Sequence, residues 1–275
     1  MKKNVLVVIG VGGMGQSIAR RQGAGKKVLL ADFDEKVLSA SVEALRGEGH
    51  DVVTSPVDVS SRASVAALAD LAAELGGITE VVHTAGLSPV QAPAAAILAV
   101  DLLGVALVLE EFGRVVASGG AGVVISSMAG HLASALDAEQ EHALAHTPAD
   151  ELLDLPFLAE VTSGAVGYGL AKRANLLRVQ AASGMWGRRG ARINSISPGV
   201  ISTPMGQQEL AGDSGTAMRA MIDASAAGRL GTPADIAAAA AFLLGPDSTF
   251  VSGTDLLVDG GVVAALRAGA QGPAA

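Results

Sequence analysis

The stretch VLVVIGVGGMGQSIA, residues 5–19, decides the fold of this chain. In it a run of β-branched residues meets four glycines and then continues as a helix-like stretch. Glycines at a strand-to-helix turn let the backbone approach a pyrophosphate at the start of the helix. Three interpretations are open: the apolar core of a secretory signal, a G-x-G-x-x-G fingerprint at Gly10, Gly12 and Gly15, or a G-x-x-x-G-x-G loop that is one residue short.

A secretory signal is the weakest of the three interpretations. Four glycines interrupt the apolar run, and Arg20 and Arg21 follow it without a convincing cleavage site. Elsewhere no apolar run reaches membrane-spanning length, and the longest, AAAAAFLLG at 237–245, is typical of a short helix. We therefore expect a cytoplasmic protein with no membrane segment.

Composition limits the classes of function. Half of the 275 residues are hydrophobic and 17% are charged, which suits one large domain with a substantial core. A net charge of −8 and an aromatic content of 3% argue against a nucleic-acid partner, which needs a concentrated basic surface. The absence of cysteine excludes disulfides, thiolate metal sites and a cysteine nucleophile, and it fits a reducing compartment.

Short Val/Ile/Leu runs alternate along the chain with longer stretches of helical period. This alternation predicts an α/β fold: a single doubly wound Rossmann domain over residues 1–266, with a parallel seven-stranded sheet and helices on both faces. The predicted strands are 4–9, 27–31, 51–54, 79–83, 122–126, 191–196 and 255–258, and the predicted helices are 14–22, 35–47, 62–75, 94–118, 163–187 and 233–244. We expect residues 267–275 to form a frayed tail.

Residues 131–162 interrupt the alternation. This segment is acidic, contains two prolines and is expected to form one or two short helices before the next long helix. Insertions of this length usually serve as a lid, a binding loop or an interface element. His131, His142 and His146 lie in it beside acidic residues, but they lack a recognised ligand spacing, so we favour a solvated acidic helix over a metal site.

Asp32 closes the second predicted strand, about twenty residues after the glycines. A carboxylate there can accept hydrogen bonds from the adenosine ribose hydroxyls and would repel a 2′-phosphate. The glycine loop holds no Arg or Lys that would attract such a phosphate. These features favour NAD(H) over NADP(H) as the cofactor. The alternative role for Asp32 is a cap of the helix over 34–47.

Two families resemble parts of the chain. GVGGMG at 10–15 and GYGLAKRAN at 167–175 resemble the β-hydroxyacid dehydrogenases, in which an all-helical domain would follow. The short-chain dehydrogenase/reductase superfamily is similar in six ordered motifs that cover nearly the whole chain, and the chain is identified as a member of it. Those motifs are DFD (32–34), VDVS (57–60), HTAG (83–86), ISSMAG (125–130), YGLAK (168–172) and SPGVISTP (197–204). The resemblance selects the short glycine loop, with Gly13-Met14-Gly15 in place of the family's final G-I-G.

The resemblance implies an oxidoreductase that interconverts a secondary alcohol and a ketone by hydride transfer. Tyr168 would be the acid/base, Ser127 would hydrogen-bond the substrate oxygen, and Lys172 would bind the nicotinamide ribose. The spacing suits this chemistry, because a free tyrosine has a pKa of about 10 and a lysine one helical turn later stabilises its phenolate. Asp101 stands where the family usually has an asparagine that holds a water for proton relay, and it is the fourth predicted catalytic residue.

The resemblance also assigns cofactor contacts to individual positions. They are Gly10, Gly13, Met14, Gly15, Asp32, Phe33, Asp58, Val59, Ala85, Gly86, Tyr168, Lys172, Pro198, Gly199, Ile201 and Thr203. Asp58 and Val59 would contact the adenine, and the segment 198–203 would wrap the nicotinamide. No metal is expected. His83, in place of the first asparagine of the family's N-N-A-G turn, is expected to be a partly buried, hydrogen-bonded side chain.

The separation of 41 positions from Ser127 to Tyr168 exceeds the family's usual one and resembles the bacterial 3α-hydroxysteroid dehydrogenase/carbonyl reductase branch. A hydrophobic carbonyl substrate, such as a steroid-like one, is expected because the predicted walls are apolar: Leu87, Pro89, Met128, Leu132, Met205 and Leu210. The family pairs its long helices into homodimers or homotetramers, and segment 131–162 would either cover that surface or shape the pocket mouth. The alternative function is a non-catalytic NAD-binding regulator on the same fold.

Overall fold

Seven strands form one parallel sheet in this computed structural model, which describes residues 3–270. The strands are β1 Asn4–Ile9, β2 Lys27–Asp32, β3 Asp51–Pro56, β4 Gly77–His83, β5 Ala121–Ile125, β6 Arg192–Pro198 and β7 Asp255–Val258. Their order across the sheet is β3-β2-β1-β4-β5-β6-β7. The central strands are continuous apolar runs because helices bury both of their faces. The predicted α/β class and parallel seven-stranded sheet are confirmed.

Helices cover the sheet on both sides, as the doubly wound prediction requires. They are α1 Gly13–Gln22, α2 Glu35–Gly47, α3 Arg62–Leu75, α4 Ala94–Ile97, α5 Gly104–Val115, α6 Ala129–Leu132, α7 Ala138–His146, α8 Gly164–Arg188, α9 Pro204–Ala211, α10 Gly215–Ala224, α11 Pro233–Leu244 and α12 Val262–Ala270. Helices α3, α5 and α8 pack against the face that carries Val5, Val7 and Ile9. Helices α1, α2 and α11 pack against the face that carries Leu6 and Val8.

The helix bounds differ from the prediction in three places. The predicted helix 94–118 is α4, a π-helical stretch at Leu98–Leu103, and α5. Helices α9 and α10 were not predicted; the apolar periodicity of α9 is weak, whereas that of α10 is clear and was missed. Helix α12 is anchored by the buried Val262 and Val263 and runs through Ala270. The predicted frayed tail is therefore wrong at 267–270, and its remaining residues, 271–275, lie outside the described residues.

The order of the strands creates a crevice at their carboxyl ends. Strands β1 and β4 are neighbours, although the chain forms β2 and β3 between them, so connections leave the two strands in opposite directions. The turn after β1 and the turn after β4 meet there, and the Ala85 backbone N–H donates to the Ile9 carbonyl at 3.0 Å. Ligands of open α/β sheets bind at such switch points.

Most of segment 131–162 folds back over the outer surface of α5 and α8. After α7 it forms two 3₁₀ turns, at Ala149–Asp154 and Pro156–Leu158. Leu144 and Leu152 are fully buried in the core shared with α5 and α8. From α8, the Arg178 guanidinium donates to the carbonyls of Leu144 and Thr147 at 2.8 and 2.9 Å. The segment contains the predicted short helices, and it is a docked part of the domain.

Candidate active site

Tyr168 and Lys172, one turn apart on α8, lie beside the carboxyl end of β5, where Ser127 follows the strand. The Lys172 ammonium lies 5.3 Å from the centre of the Tyr168 ring. Two contacts hold α8 in this place. The Ser126 hydroxyl donates to the Lys172 carbonyl at 2.8 Å, and a Cβ at Gly130 would lie only 2.8 Å from the Lys172 backbone. Three predicted catalytic residues are thus brought together, although 41 positions separate the serine from the tyrosine.

Asp101 belongs to the same cluster. It lies in the π-helical stretch and is fully buried. Its Oδ2 is 2.9 Å from the Lys172 ammonium, and its Oδ1 accepts the Leu87 backbone N–H at 2.8 Å. A Cβ at Gly86 would lie 2.9 Å from Asp101 Oδ2 and 3.3 Å from Lys172 Nζ, so the bare backbone at 86 makes room for the ion pair.

The surroundings of the cluster set its charges. Burial acts to lower the pKa of Lys172, but the adjacent Asp101 and Tyr168 raise it above its ordinary value. Burial raises the pKa of Asp101, and Lys172 opposes that change. Burial also raises the pKa of the Tyr168 hydroxyl, against the lowering effects of Lys172 and of the Ser127 hydroxyl. The ammonium is therefore held charged, and the phenol is not an ionised group at neutral pH.

His83 lies at the end of β4 and is almost completely buried. Burial first, and then the positive charge of Lys172, lower its pKa to about 3. Its imidazole is therefore neutral at physiological pH. Among the described residues neither ring nitrogen has a hydrogen-bond partner, so the expectation of a partly buried, hydrogen-bonded histidine is wrong in both respects.

The glycine loop between β1 and α1 approaches the turn after β4 closely. Gly10 has a φ of +88°, and a Cβ there would lie 2.3 Å from the Ala85 nitrogen. A Cβ at Gly15 would lie 2.0 Å from the Gly10 carbonyl oxygen. Helix α1 starts at Gly13 without a side-chain cap, so no cap side chain accepts from the first backbone N–H groups of the helix. Met14 packs its side chain against the core in that first turn.

A cavity of about 540 Å³ follows the loop across the carboxyl ends of β1, β2 and β4. Seven of the predicted cofactor residues line it: Gly10, Asp32, Phe33, Asp58, Val59, Ala85 and Gly86.

 Gly12, which belongs to the G-x-G-x-x-G interpretation alone, also lines the cavity. The other lining residues are Val37, Val57, Ser60, Thr84, Leu87, Val100 and Met205, and no lysine or arginine is among them.

Asp32 holds the turn between the glycine loop and α2. Its Oδ2 accepts the Val11 backbone N–H at 2.7 Å, and its Oδ1 accepts the Asp34 backbone N–H at 3.0 Å. The helix cap is a different residue, since the Asp34 carboxylate accepts from Lys36 and Val37 at 2.8 and 3.3 Å. The alternative of Asp32 as the cap of α2 is therefore wrong, and its carboxylate faces the cavity.

The segment 198–203 reaches the glycine loop from the other side. A Cβ at Gly13 would lie 3.0 Å from the Thr203 methyl group, so this threonine packs directly against the loop. The Thr203 hydroxyl caps α9 by accepting the Gly206 N–H at 3.1 Å. Ile201 is instead buried in the core, and Gly199 packs against Asp259. Neither residue lines the cavity described above.

A second, largely apolar cavity of about 510 Å³ lies beside the catalytic cluster. It is lined by Met128, Ala129, Leu132, Ala133, Ser134, Leu136, Ala165, Val166, Gly169, Leu170 and Met221. Two of the predicted substrate walls, Met128 and Leu132, are in this wall, whereas Leu87 and Met205 line the first cavity. The start of segment 131–162 thus shapes a cavity, while the rest of it covers α5 and α8.

Comparison with known proteins agrees with this geometry. A family model described as enoyl-(acyl carrier protein) reductase matches residues 10–141 and 157–263. The short-chain dehydrogenase/reductase bsc3 of Alternaria brassicicola is 44% identical over 268 residues, which cover 97% of this chain and 98% of that protein. The chain belongs to the short-chain dehydrogenase/reductase family. The β-hydroxyacid dehydrogenase alternative is wrong, because β6 and β7 follow α8 in the same sheet.

Two further relatives place this short-chain dehydrogenase/reductase among the oxidoreductases. D-threitol dehydrogenase of Mycolicibacterium smegmatis is 30% identical over 269 residues, covering 94% of this chain and 92% of that protein. The crystal structure of levodione reductase superposes with a TM-score of 0.76 at 26% identity, covering 96% of this chain and 98% of that chain. Members of the family bind a nicotinamide dinucleotide, and the first cavity is the part of this chain suited to one.

Two residues near the site were missed by the sequence reasoning. The Thr84 hydroxyl donates to the Gly10 carbonyl at 2.5 Å and fixes the glycine loop; its signal was its place in the HTAG motif after β4. Glu209 on α9 is half-buried, burial raises its pKa, and its charge acts to raise the pKa of Tyr168. No sequence signal pointed to Glu209, because only the packing of α9 brings it near the tyrosine.

The histidines of segment 131–162 have other partners. His131 Nε2 lies 2.7 Å from Asp255 Oδ2, and the rings of His142 and His146 have centroids 4.5 Å apart. Within residues 3–270 no group of three or more His, Cys, Asp or Glu side chains is arranged to hold a metal ion. Over the same residues, none of the helices combines the length and apolar character needed to cross a bilayer.

Proposed function

We propose that this short-chain dehydrogenase/reductase uses NAD(H) to interconvert a secondary alcohol and a ketone, with Tyr168 as the acid/base. The observation that carries the proposal is the convergence of Ser127, Tyr168 and Lys172 beside the crevice at the carboxyl ends of the strands. The ammonium lies 5.3 Å from the tyrosine ring, and the first cavity opens over the neighbouring strand ends.

The first cavity has the features that a dinucleotide requires. Its volume of about 540 Å³ is within the usual range for cofactor sites. The Ala85 backbone occupies the space that a Cβ would fill at Gly10, which brings the glycine loop against the turn after β4, and the uncapped start of α1 offers N–H groups to a pyrophosphate. When bound, the nicotinamide supplies the hydride acceptor or donor.

Asp32 supports NAD(H) rather than NADP(H). Each of its carboxylate oxygens accepts one backbone N–H and keeps a second lone pair for a ribose hydroxyl. The same charge repels a 2′-phosphate, and the cavity wall contains no lysine or arginine to compensate. The pair of acidic residues in that wall, Asp32 and Asp58, makes this end of the cavity unsuited to an additional phosphate.

The chemical roles follow from the protonation states. In oxidation, the Tyr168 phenolate would accept the O–H proton of the alcohol, with the bound nicotinamide as the group that would take the hydride. In reduction, the Tyr168 hydroxyl returns that proton to the carbonyl oxygen. Ser127 donates a hydrogen bond to the same oxygen as negative charge develops there, and the Lys172 ammonium stabilises the phenolate.

The substrate class is suggested by the second cavity. Its wall is apolar apart from Ser134, and it includes Met128 next to Ser127 and Gly169 next to Tyr168. Such a wall favours a hydrophobic carbonyl compound over a polyol. The names of the relatives do not decide between these two substrate classes. D-threitol dehydrogenase is named for a small polyol, and levodione reductase is not. A cyclic or steroid-like ketone is therefore the class that we propose.

The test is turnover of a panel of hydrophobic ketones and alcohols with NADH or NAD⁺, measured by nicotinamide absorbance. Tyr168→Phe removes the acidic proton and keeps the ring, so turnover should fall about a hundredfold or more while NAD⁺ binding persists. Turnover by Tyr168→Phe near the parental rate would refute the acid/base role. If the unmutated protein binds NAD⁺ and turns over nothing in the panel, the non-catalytic regulator is supported instead.

A further inference from the structure

The ion pair between Asp101 and Lys172 is the feature from which we infer more. Both partners are buried, with side-chain exposures of 0% and 6%, and their charged atoms are 2.9 Å apart. The Leu87 N–H orients the carboxylate, and Gly86 leaves the space it occupies. Charges this close and this well shielded from water interact more strongly than those of an exposed salt bridge.

The pair changes what Lys172 can do for Tyr168. An isolated ammonium beside the phenol ring would strongly favour the phenolate. Burial of the phenol already opposes ionisation, and a carboxylate at 2.9 Å from the same ammonium offsets part of the attraction, because both charges act on the hydroxyl through the same low-dielectric interior. The asparagine that the family usually has at this position carries no charge and would leave the attraction intact.

The other groups around Tyr168 do not reverse this balance. From β4, His83 is neutral and adds no positive charge. From α9, Glu209 adds a second carboxyl group whose charge disfavours the phenolate. From the turn after β5, the Ser127 hydroxyl favours the phenolate by hydrogen bonding, but it is uncharged. Lys172 is thus the one cation that acts on the tyrosine among the described residues, and Asp101 is paired with it.

We propose that Asp101 is a positioning residue which, by pairing with Lys172, keeps the Tyr168 hydroxyl protonated at neutral pH. This inference rests on the acid/base role proposed above for Tyr168. In the resting site Tyr168 is then protonated and can donate its proton in ketone reduction, whereas alcohol oxidation requires alkaline conditions. An enzyme cannot alter the equilibrium of its reaction. The acid limb of the pH–rate profile for oxidation and the alkaline limb of the profile for reduction must therefore move together when the ion pair is broken.

The single tyrosine of the chain makes a direct test available. The ultraviolet absorbance of tyrosinate reports Tyr168 alone, and Trp186, the single tryptophan, does not ionise. We would titrate the full chain without substrate in the parent, Asp101→Asn and Asp101→Glu, with Tyr168→Phe as the blank. Asp101→Asn keeps the shape and removes the charge, and Asp101→Glu restores the charge.

Glu80→Gln is the matched control. Glu80, in the middle of β4, is also buried, and it forms an ion pair with Lys26. Its substitution removes a buried carboxylate without touching the catalytic cluster. Melting temperature should fall in this variant, and the tyrosine titration should stay that of the parent.

In Asp101→Asn we expect the tyrosine to ionise at lower pH, with about a tenfold or larger rise in the phenolate fraction at a given pH below the midpoint. The acid limb of oxidation and the alkaline limb of reduction should both move to lower pH, and Asp101→Glu should restore the parental curves. Unchanged titration in a folded Asp101→Asn would overturn the proposal. So would a parent whose tyrosine is already ionised at neutral pH, a result that needs no variant to fold. Failure of the proposed function would appear separately, as missing turnover with the titration intact.

Discussion

Replacing Asp32 by alanine should change which nicotinamide dinucleotide the protein prefers. The carboxylate lies in the wall of the first cavity, where it accepts N–H groups from Val11 and Asp34 at 2.7 and 3.0 Å. Removing it deletes the acceptor for the ribose hydroxyls of NAD(H). It also deletes the negative charge that a 2′-phosphate would meet.

The magnitude can be worked from these contacts. A unit charge about 6 Å from a phosphate charge, at an effective dielectric constant of about 20 to 40, costs about 1–3 kcal/mol, so NADP⁺ should bind about ten- to a hundredfold tighter once the charge is gone. NAD⁺ loses hydrogen bonds to a charged acceptor, about 1.5–3 kcal/mol each, and should weaken by at least about tenfold. Two backbone N–H groups also lose their acceptor, so the free energy of unfolding should fall by about 1–2 kcal/mol.

Calorimetric titration of both dinucleotides into Asp32→Ala, Asp34→Ala and the parent measures these changes. Asp34→Ala is the matched control, because it removes the cap of α2, at a cost of about 1 kcal/mol of stability, and leaves the carboxylate of Asp32 in the cavity. Its preference should equal that of the parent. Equal affinities of the parent for NAD⁺ and NADP⁺, or an unchanged preference in Asp32→Ala, would refute the role given to Asp32.

Two further predictions concern the loop and the inserted segment. Gly10→Ala should abolish dinucleotide binding in a titration, because its φ is +88° and the new Cβ would meet the Ala85 nitrogen at 2.3 Å. Gly47→Ala, at the end of α2 with open space around it and outside the cavity wall, should bind as the parent does, and binding by both variants would contradict the close approach. Leu144→Ala should lower the free energy of unfolding in urea by about 3 kcal/mol, since the side chain is fully buried against α5 and α8, whereas the more exposed Leu153→Ala should cost less than about 1 kcal/mol. Equal losses in the two leucine variants would mean that the segment is not docked as described.

Much of the fold was predictable because hydrophobic periodicity is a local property. Each of the seven strands was located to within about two residues by its apolar run, and the order of strands and helices then allows few topologies. The break in the predicted helix 94–118 was not predictable in this way. The π-helical stretch at Leu98–Leu103 keeps the same apolar pattern as an α-helix, and only its packing against α8 and the segment 149–154 distinguishes it.

In the candidate site too, the features that are local in sequence could be predicted, and those that depend on the packing of distant elements could not. The Tyr168–Lys172 spacing could be predicted because it depends on one helical turn, and the approach of Ser127 followed from the family resemblance. The loss of hydrogen bonding at His83 and the approach of Glu209 to the tyrosine could not, because each depends on how elements distant in sequence pack. The same is true of Asp32, whose competing role as a helix cap was excluded only when Asp34 was found to accept the N–H groups of α2.

Positions 86 and 101 show why a motif has to be interpreted together with its surroundings. The glycine of HTAG is a cofactor contact by resemblance, but in this chain its bare backbone also admits the carboxylate of Asp101, 2.9 Å from where a Cβ would lie. An alanine at 86 would have to displace the carboxylate or the Lys172 ammonium, and either movement weakens the ion pair. Gly86 therefore has two roles: it forms part of the cavity wall, and it leaves room for the buried ion pair. A substitution at 86 should thus disturb the protonation of Tyr168 even where cofactor binding survives.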